Sequence, residues 1–310
     1  MNSLIRRRLV PSAPRALLLL PVLLLLPVGC QEANGGDSLI GERGLVELTR
    51  RVQEALAMGP HIILPEPVPV ILLTTDEARE RRKAYNAANA DETGLSVAVD
   101  FFADALFGSR MLGRYLPDEK VVYVLEDVLR SEGRGDDEAA MELLFPVLAH
   151  ELVHAYDDQV YGCVPSPSQM GDLLEDPRNL IGFQTQMSLI EGRATFISGL
   201  ACAAVGVEPL PEPTVEGARQ ATLLRSDGTL GGDVLAGLGN NMGRLKFLQY
   251  AYGVRFSREA YRFGGEAFFE HVFDNLPLSM EELEDFSLFM IRWAETMEEQ
   301  ELEEELSEDV

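Results

Sequence analysis

The chain is poor in positive charge, in histidine and in cysteine. Its 26 Lys and Arg stand against 51 Asp and Glu, a formal net charge of −25 over 310 residues. Four of the cations, Arg6, Arg7, Arg8 and Arg15, lie within positions 1–29, where there is no acidic residue. Without them 22 basic residues face 51 acidic ones, a net of −29. So acidic a balance argues against nucleic acid as a partner and repels anionic surfaces. Much of the acid is gathered at the C-terminus, so it says little about substrate charge. No internal repeat is present, which excludes solenoid and array architectures. The chain is 46% hydrophobic, enough to bury a core, and long enough for one large domain or two small ones.

The apolar stretch Leu17–Val28 follows the cations Arg6-Arg7-Arg8 and precedes Gly29-Cys30, the order of an export signal. Pro21, Pro27 and its shortness argue against a lasting transmembrane helix. Leu26-Pro27-Val28-Gly29-Cys30 resembles a bacterial lipoprotein signal, with Pro27 where the usual box prefers Leu. The resemblance implies cleavage before Cys30, lipid on Cys30 and membrane anchoring. Gln31, rather than Asp, after the Cys points to the outer membrane if the host has one. An ordinary signal peptide with an incidental Cys30 is the other reading, and both export the protein. The expected organisation is a signal peptide over 1–29, a polar tether over 30–41, a catalytic domain over 42–296 and an acidic tail over 297–310.

Two of the four histidines fall in His150-Glu151-Leu152-Val153-His154. On an α-helix, residues i and i+4 are offset by about 40°, so both imidazoles leave one face about a turn apart. That spacing lets both reach one Zn²⁺. Glu151, on the flank of that face, reaches a metal-activated water instead and can take its proton. The neighbours Leu143, Leu144, Val147, Leu148, Leu152 and Val153 make the helix apolar, and buried histidines need partners.

A catalytic zinc requires a third protein ligand. Only His61 and His271 remain as histidines, and Asp157 and Val160 stand where the extended H-E-x-x-H-x-x-G-x-x-H pattern needs Gly and His. The metzincin pattern is therefore excluded. Glu191, in Leu189-Ile190-Glu191-Gly192-Arg193-Ala194-Thr195, is the best candidate, because a lone Glu in an apolar helix is costly unless it is paired or ligates a metal. A salt bridge to Arg193 or another base is its other reading. HELVHAYDDQ, EGRAT, YAYGVRF, FGG and LPLSMEEL together resemble a family of exported bacterial gluzincin-type zinc metallopeptidases, over about Val121 to Leu283. The resemblance implies a zincin-like fold, zinc held by His150, His154 and Glu191, and Glu151 as general base. The chain departs from the family at Asp157, where Gln is common, and in lacking a His-Pro pair after Leu283.

Further candidates surround this trio. Asp158, i+4 from His154, could accept the other ring N–H of that ligand, or be a surface residue. Tyr250 first and His271 second could stabilise an oxyanion, or be a packed aromatic and a surface histidine. Cys163 and Cys202 could form a disulfide near the site, or be two buried thiols.

The periodicities predict a mainly helical α+β domain with a small antiparallel sheet against the active-site helix. Helices are expected over Glu42–Met58, from an N-cap at Thr75 or Asp76, over Val97–Leu106, from Asp136 or Asp137 through HELVH, and over Gln184–Val205. Pro146 must kink the HELVH helix or begin it. Further helices are expected over Leu245–Phe273, interrupted at Gly253 and Gly264-Gly265. Ser279 opens the last helix with a capping box. Strands are expected at Val70–Leu73 and Val121–Leu125. The expected function is zinc-dependent hydrolysis of a peptide or protein substrate in the cell envelope. The rivals are a zinc amidase acting on a non-peptide or cell-wall amide, and a non-catalytic lipoprotein scaffold.

Overall fold

The computed structural model describes residues 39–88, 112–165, 179–212 and 250–308. The signal peptide, Cys30, the Val97–Leu106 segment and the Gly-rich Gly228–Gly239 stretch lie outside the described residues.

Helix α1 (Glu42–Met58) buries Leu48, Val52, Ala55 and Leu56, one stripe at helical spacing. Strand β1 (Val70–Leu73) leads into α2 (Thr75–Ala88). The cap of α2 lies one residue earlier than expected. Thr74 Oγ1 accepts from Glu77 N–H at 3.3 Å, and the Glu77 carboxylate accepts from Thr74 N–H at 2.8 Å, a reciprocal capping box.

Strands β2 (Gly113–Leu116) and β3 (Val121–Leu125) complete a three-stranded sheet of order β1-β3-β2. The sheet is mixed rather than antiparallel. β2 and β3 form a hairpin, Gly113 facing Val124, through the Pro117–Lys120 turn, where Lys120 has a φ of 52°. β1 instead pairs parallel with β3, Val70 facing Val122, because the chain crosses over between them. β3 is covered on both sides, which explains its unbroken apolar run. Val122 and Val124 face the main core, while Val121 and Tyr123 meet Leu116 and the α2 side.

After α3 (Glu126–Glu132), Asp136 caps α4 (Asp137–Tyr161) by accepting from Glu138 N–H at 2.9 Å. Pro146 lies inside α4 and does not begin it. Gly162, with a φ of 60°, ends it in the left-handed conformation. α4 packs on α5 (Asn179–Val205), α1 and the sheet, and is buried on nearly every face from Leu144 to Ala155. Residues 182–205 of α5 are long and apolar enough to cross a membrane by composition. Two-thirds of that window is buried inside the fold.

The helix over 250–264, here α6, runs through Gly253 without interruption and ends before Gly265, whose φ is 65°. It joins α7 (Phe268–Asp274), α8 (Met280–Glu284) and α9 (Phe286–Glu308) in a second, aromatic core. There Phe256 meets Phe286 and Phe289 edge to face, each at 5.2 Å between centroids. Ser279 does cap a helix, accepting from Glu282 N–H at 3.3 Å, but that helix is the short α8. Asp285 opens α9 separately, accepting from Ser287 N–H at 3.0 Å. The acidic stretch from 297 continues α9 to Glu308.

Candidate metal centre

α4 and α5 face each other where the apolar packing between them gives way to three donor atoms. Nε2 of His150 and Nε2 of His154 are 3.1 Å apart. Oε2 of Glu191 lies 3.3 Å from the first and 3.6 Å from the second. These three residues form a group able to hold a metal ion. Both histidines are buried, at 8% and 7% exposure, so water does not separate the charges.

The electrostatics of the trio favour positive charge on it. Burial alone would depress the His154 pKa, yet the Glu191 charge lifts it to about 9. Burial alone would raise Glu191, yet the His154 and His150 rings hold it well below the usual carboxylate value. A proton meets this preference in part. Two imidazoles and a carboxylate are also a ligand set that could hold a metal ion. The Nδ1 atoms of both rings are buried without a hydrogen-bond partner.

Glu151 stands outside the trio. Its Oε2 accepts the Tyr115 backbone N–H at 2.6 Å. Leu125 N–H bonds Leu112 C=O at 2.8 Å, and that register turns the backbone groups of Gly113 and Tyr115 away from β3. The strand comes this close because position 113 is glycine. A Cβ there would lie 2.8 Å from Val147 Cγ1 and 3.1 Å from Glu151 Cγ.

Tyr250 joins the site from α6. Its ring stacks on His150 at 6.4 Å between centroids, and its hydroxyl hydrogen-bonds Glu191. Burial first, then the Glu191 charge, pushes its pKa well above the ordinary tyrosine value, so it keeps its proton. Two glycines put it there. A Cβ on Gly192 would overlap the Gly253 backbone, and one on Gly253 would overlap the Ser188 carbonyl. α5 and α6 therefore cross backbone against backbone, next to Glu191 and one turn after Tyr250.

Three expectations need correction. Asp158 does not orient His154: its carboxylate accepts the Tyr115 hydroxyl at 2.9 Å. His271 is exposed and packs against Phe268 and Trp293, outside the trio. Cys163 and Cys202 are both free and buried. α4 and α5 run antiparallel, which brings the Cys163 carbonyl to Gln186 Nε2 at 2.7 Å, near the start of α5. Cys202 lies 16 residues beyond Gln186, about 24 Å along the helix.

A second polar cluster went unread. Arg193 does not pair with Glu191. It is fully buried, with Nη1 on Asp157 Oδ1 and Nη2 on Glu266 Oε1. The rings of Tyr156, Tyr161, Phe269 and Phe273 surround its guanidinium, Phe269 closest at 4.7 Å. Tyr161 also donates to Glu266 at 3.0 Å. The signal was the Glu191-Gly192-Arg193 spacing, together with Asp157, three residues after His154.

No protein-family model matches the sequence, and no curated protein matches it. Among solved structures the chain is similar to one from Chloroflexus aurantiacus described as "a putative hydrolase with a novel fold". The two share 20% identity at a TM-score of 0.49, over 82% of this chain and 91% of that one.

Proposed function

We propose that this protein is a zinc-dependent hydrolase that cleaves peptide bonds in the cell envelope. The observation that carries the reading is the division of labour on one face of α4. His150 and His154 converge with Glu191, while Glu151, between them in sequence, is held apart by the Tyr115 N–H.

His150, His154 and Glu191 would hold the metal, and bound zinc would supply a Lewis acid that polarises the substrate carbonyl. Glu151 takes a proton from the attacking water and returns it to the leaving amine. The Tyr115 N–H fixes one Glu151 oxygen and leaves the other for that transfer. Tyr250, protonated and beside Glu191, donates a hydrogen bond to the oxyanion that develops as the carbonyl is attacked.

The HELVH and EGRAT motifs support a gluzincin-type reading. We read the helix pair with its mixed sheet as a zincin-like architecture. The leader supports export and a lipid anchor at Cys30. The test is turnover by the purified, zinc-loaded protein on a mixed peptide library. Cleavage by the wild type, and none by Glu151→Gln at equal zinc content, is expected. Zinc bound with turnover only of non-peptide amides would redirect the reading to an amidase, and zinc bound without any turnover would overturn it.

A further inference from the structure

The buried cluster beside the metal ligands has no part in the chemistry above, yet it holds two atoms whose needs match. His154 directs Nε2 at the ligand trio, and its Nδ1 is buried with no hydrogen-bond partner. Asp157 is fully buried, with Oδ1 on Arg193 and Oδ2 lacking any partner. The two residues are i and i+3 on α4, neighbours on the helix surface with Cβ atoms about 5–6 Å apart. Arg193 Nε and Glu266 Oε2 are buried without a partner as well, and such orphaned polar atoms are rare in folded proteins and call for a reason. An imidazole that binds a metal through Nε2 must carry its proton on Nδ1, and that proton needs an acceptor.

We propose that Asp157, clamped by Arg193, is the positioning carboxylate that accepts the His154 Nδ1–H and so holds Nε2 toward the metal. The proposal rests on the metal-binding reading of the site. Asp158, the alternative on the next helical step, already accepts the Tyr115 hydroxyl. The clamp is placed by the chain itself. Arg193 lies two residues after Glu191, so α5 supplies both a metal ligand and the cation that fixes Asp157. Glu266 holds the other end of the guanidinium, and Tyr161 steadies Glu266. A fully buried Arg between two carboxylates carries a large desolvation penalty, and an apolar side chain of similar volume often serves stability equally well. Orienting a metal ligand is a task that an apolar residue could not perform.

The test uses the full chain with zinc alone as the probe. Zinc affinity is measured by chelator competition for wild type and Asp157→Asn, with folding checked by circular dichroism. A 10- to 100-fold weaker affinity in the folded variant is expected, the usual cost of losing such a partner. The His154 ring proton is followed by ¹⁵N-resolved NMR in the zinc-loaded wild type. It should sit on Nδ1, shifted far downfield by a carboxylate acceptor and slow to exchange. Wild-type affinity in folded Asp157→Asn would overturn the proposal. So would an unshifted, rapidly exchanging Nδ1 proton in the wild type, whether or not the variant folds. Both outcomes leave the metal reading standing, whereas a wild type that binds no zinc removes its premise.

Discussion

Between α4 and α5 lie two clusters of buried polar groups within a turn of each other, and they meet the cost of buried charge in opposite ways. In one, Arg193 supplies a fixed cation to Asp157 and Glu266 inside a cage of aromatic rings. In the other, His150, His154 and Glu191 bring three donors together, and neither ring carries a permanent charge. The first pairs its charges within the chain, while Asp157 Oδ2, Arg193 Nε and Glu266 Oε2 keep no hydrogen-bond partner. In the second, the Glu191 charge raises the His154 pKa, and the two rings hold Glu191 below the usual carboxylate value. A carboxylate beside a guanidinium has its counter-charge built in, while a carboxylate beside two converging imidazoles could take an external cation.

The comparison is broken most severely at Glu151, the group that belongs to neither cluster. Glu151→Gln should lower turnover about 10²- to 10⁴-fold, the usual worth of a general base, with zinc content unchanged. Turnover and elemental analysis on one sample check it.

Arg193→Met should destabilise the fold by about 3–5 kcal/mol, since the buried Asp157 and the part-buried Glu266 lose their counter-charge. Denaturant unfolding of the zinc-loaded protein measures this. A loss under about 1 kcal/mol would mean the cluster is not the buried structural pair described.

Gly253→Ala should cost about 1–3 kcal/mol by forcing α5 and α6 apart. It should lower turnover further by moving Tyr250 off the ligand face. A variant as stable and active as wild type would show that the crossing does not place Tyr250.

A pH series sharpens the contrast. The folded pKa of His154, about 9, exceeds its ordinary 6.5 because the Glu191 charge outweighs burial. The metal-free protein therefore holds this stabilisation in full below pH 6.5 and loses it as pH rises through about 9. Bound zinc replaces the proton and should abolish that loss. Asp157, raised by burial to about 7 against the pull of Arg193, also costs stability as pH rises to 7. The Asp157 contribution is complete by about pH 7, so the part of the difference between melts of chelator-treated and zinc-loaded protein that develops from pH 7 to 10 belongs to His154.

The sequence disclosed what depends on local spacing. HELVH places two rings on one helix face, and Glu191 stands out as a lone acid in an apolar helix. What depends on tertiary direction was hidden. Asp157 and Asp158 differ by 100° around α4, and only the side on which α5 docks decides which one faces Arg193. The bridge between Cys163 and Cys202 failed for the same kind of reason, because antiparallel helices carry the two sulfurs to opposite ends. Parallel pairing of β1 with β3 was equally invisible, since strand direction comes from the crossover and not from the strand residues. Gly192 and Gly253 were visible as glycines, but their purpose appears only when two helices cross on them.

The central claim is that the unfinished cluster is a metal site made by three named residues. Elemental analysis and chelator competition on purified wild type and Glu191→Ala test it most directly. The account predicts one zinc per chain in the wild type and loss of most of it in the folded Glu191→Ala variant. A wild type that binds no divalent metal, or a Glu191→Ala variant that keeps full zinc occupancy, would contradict it.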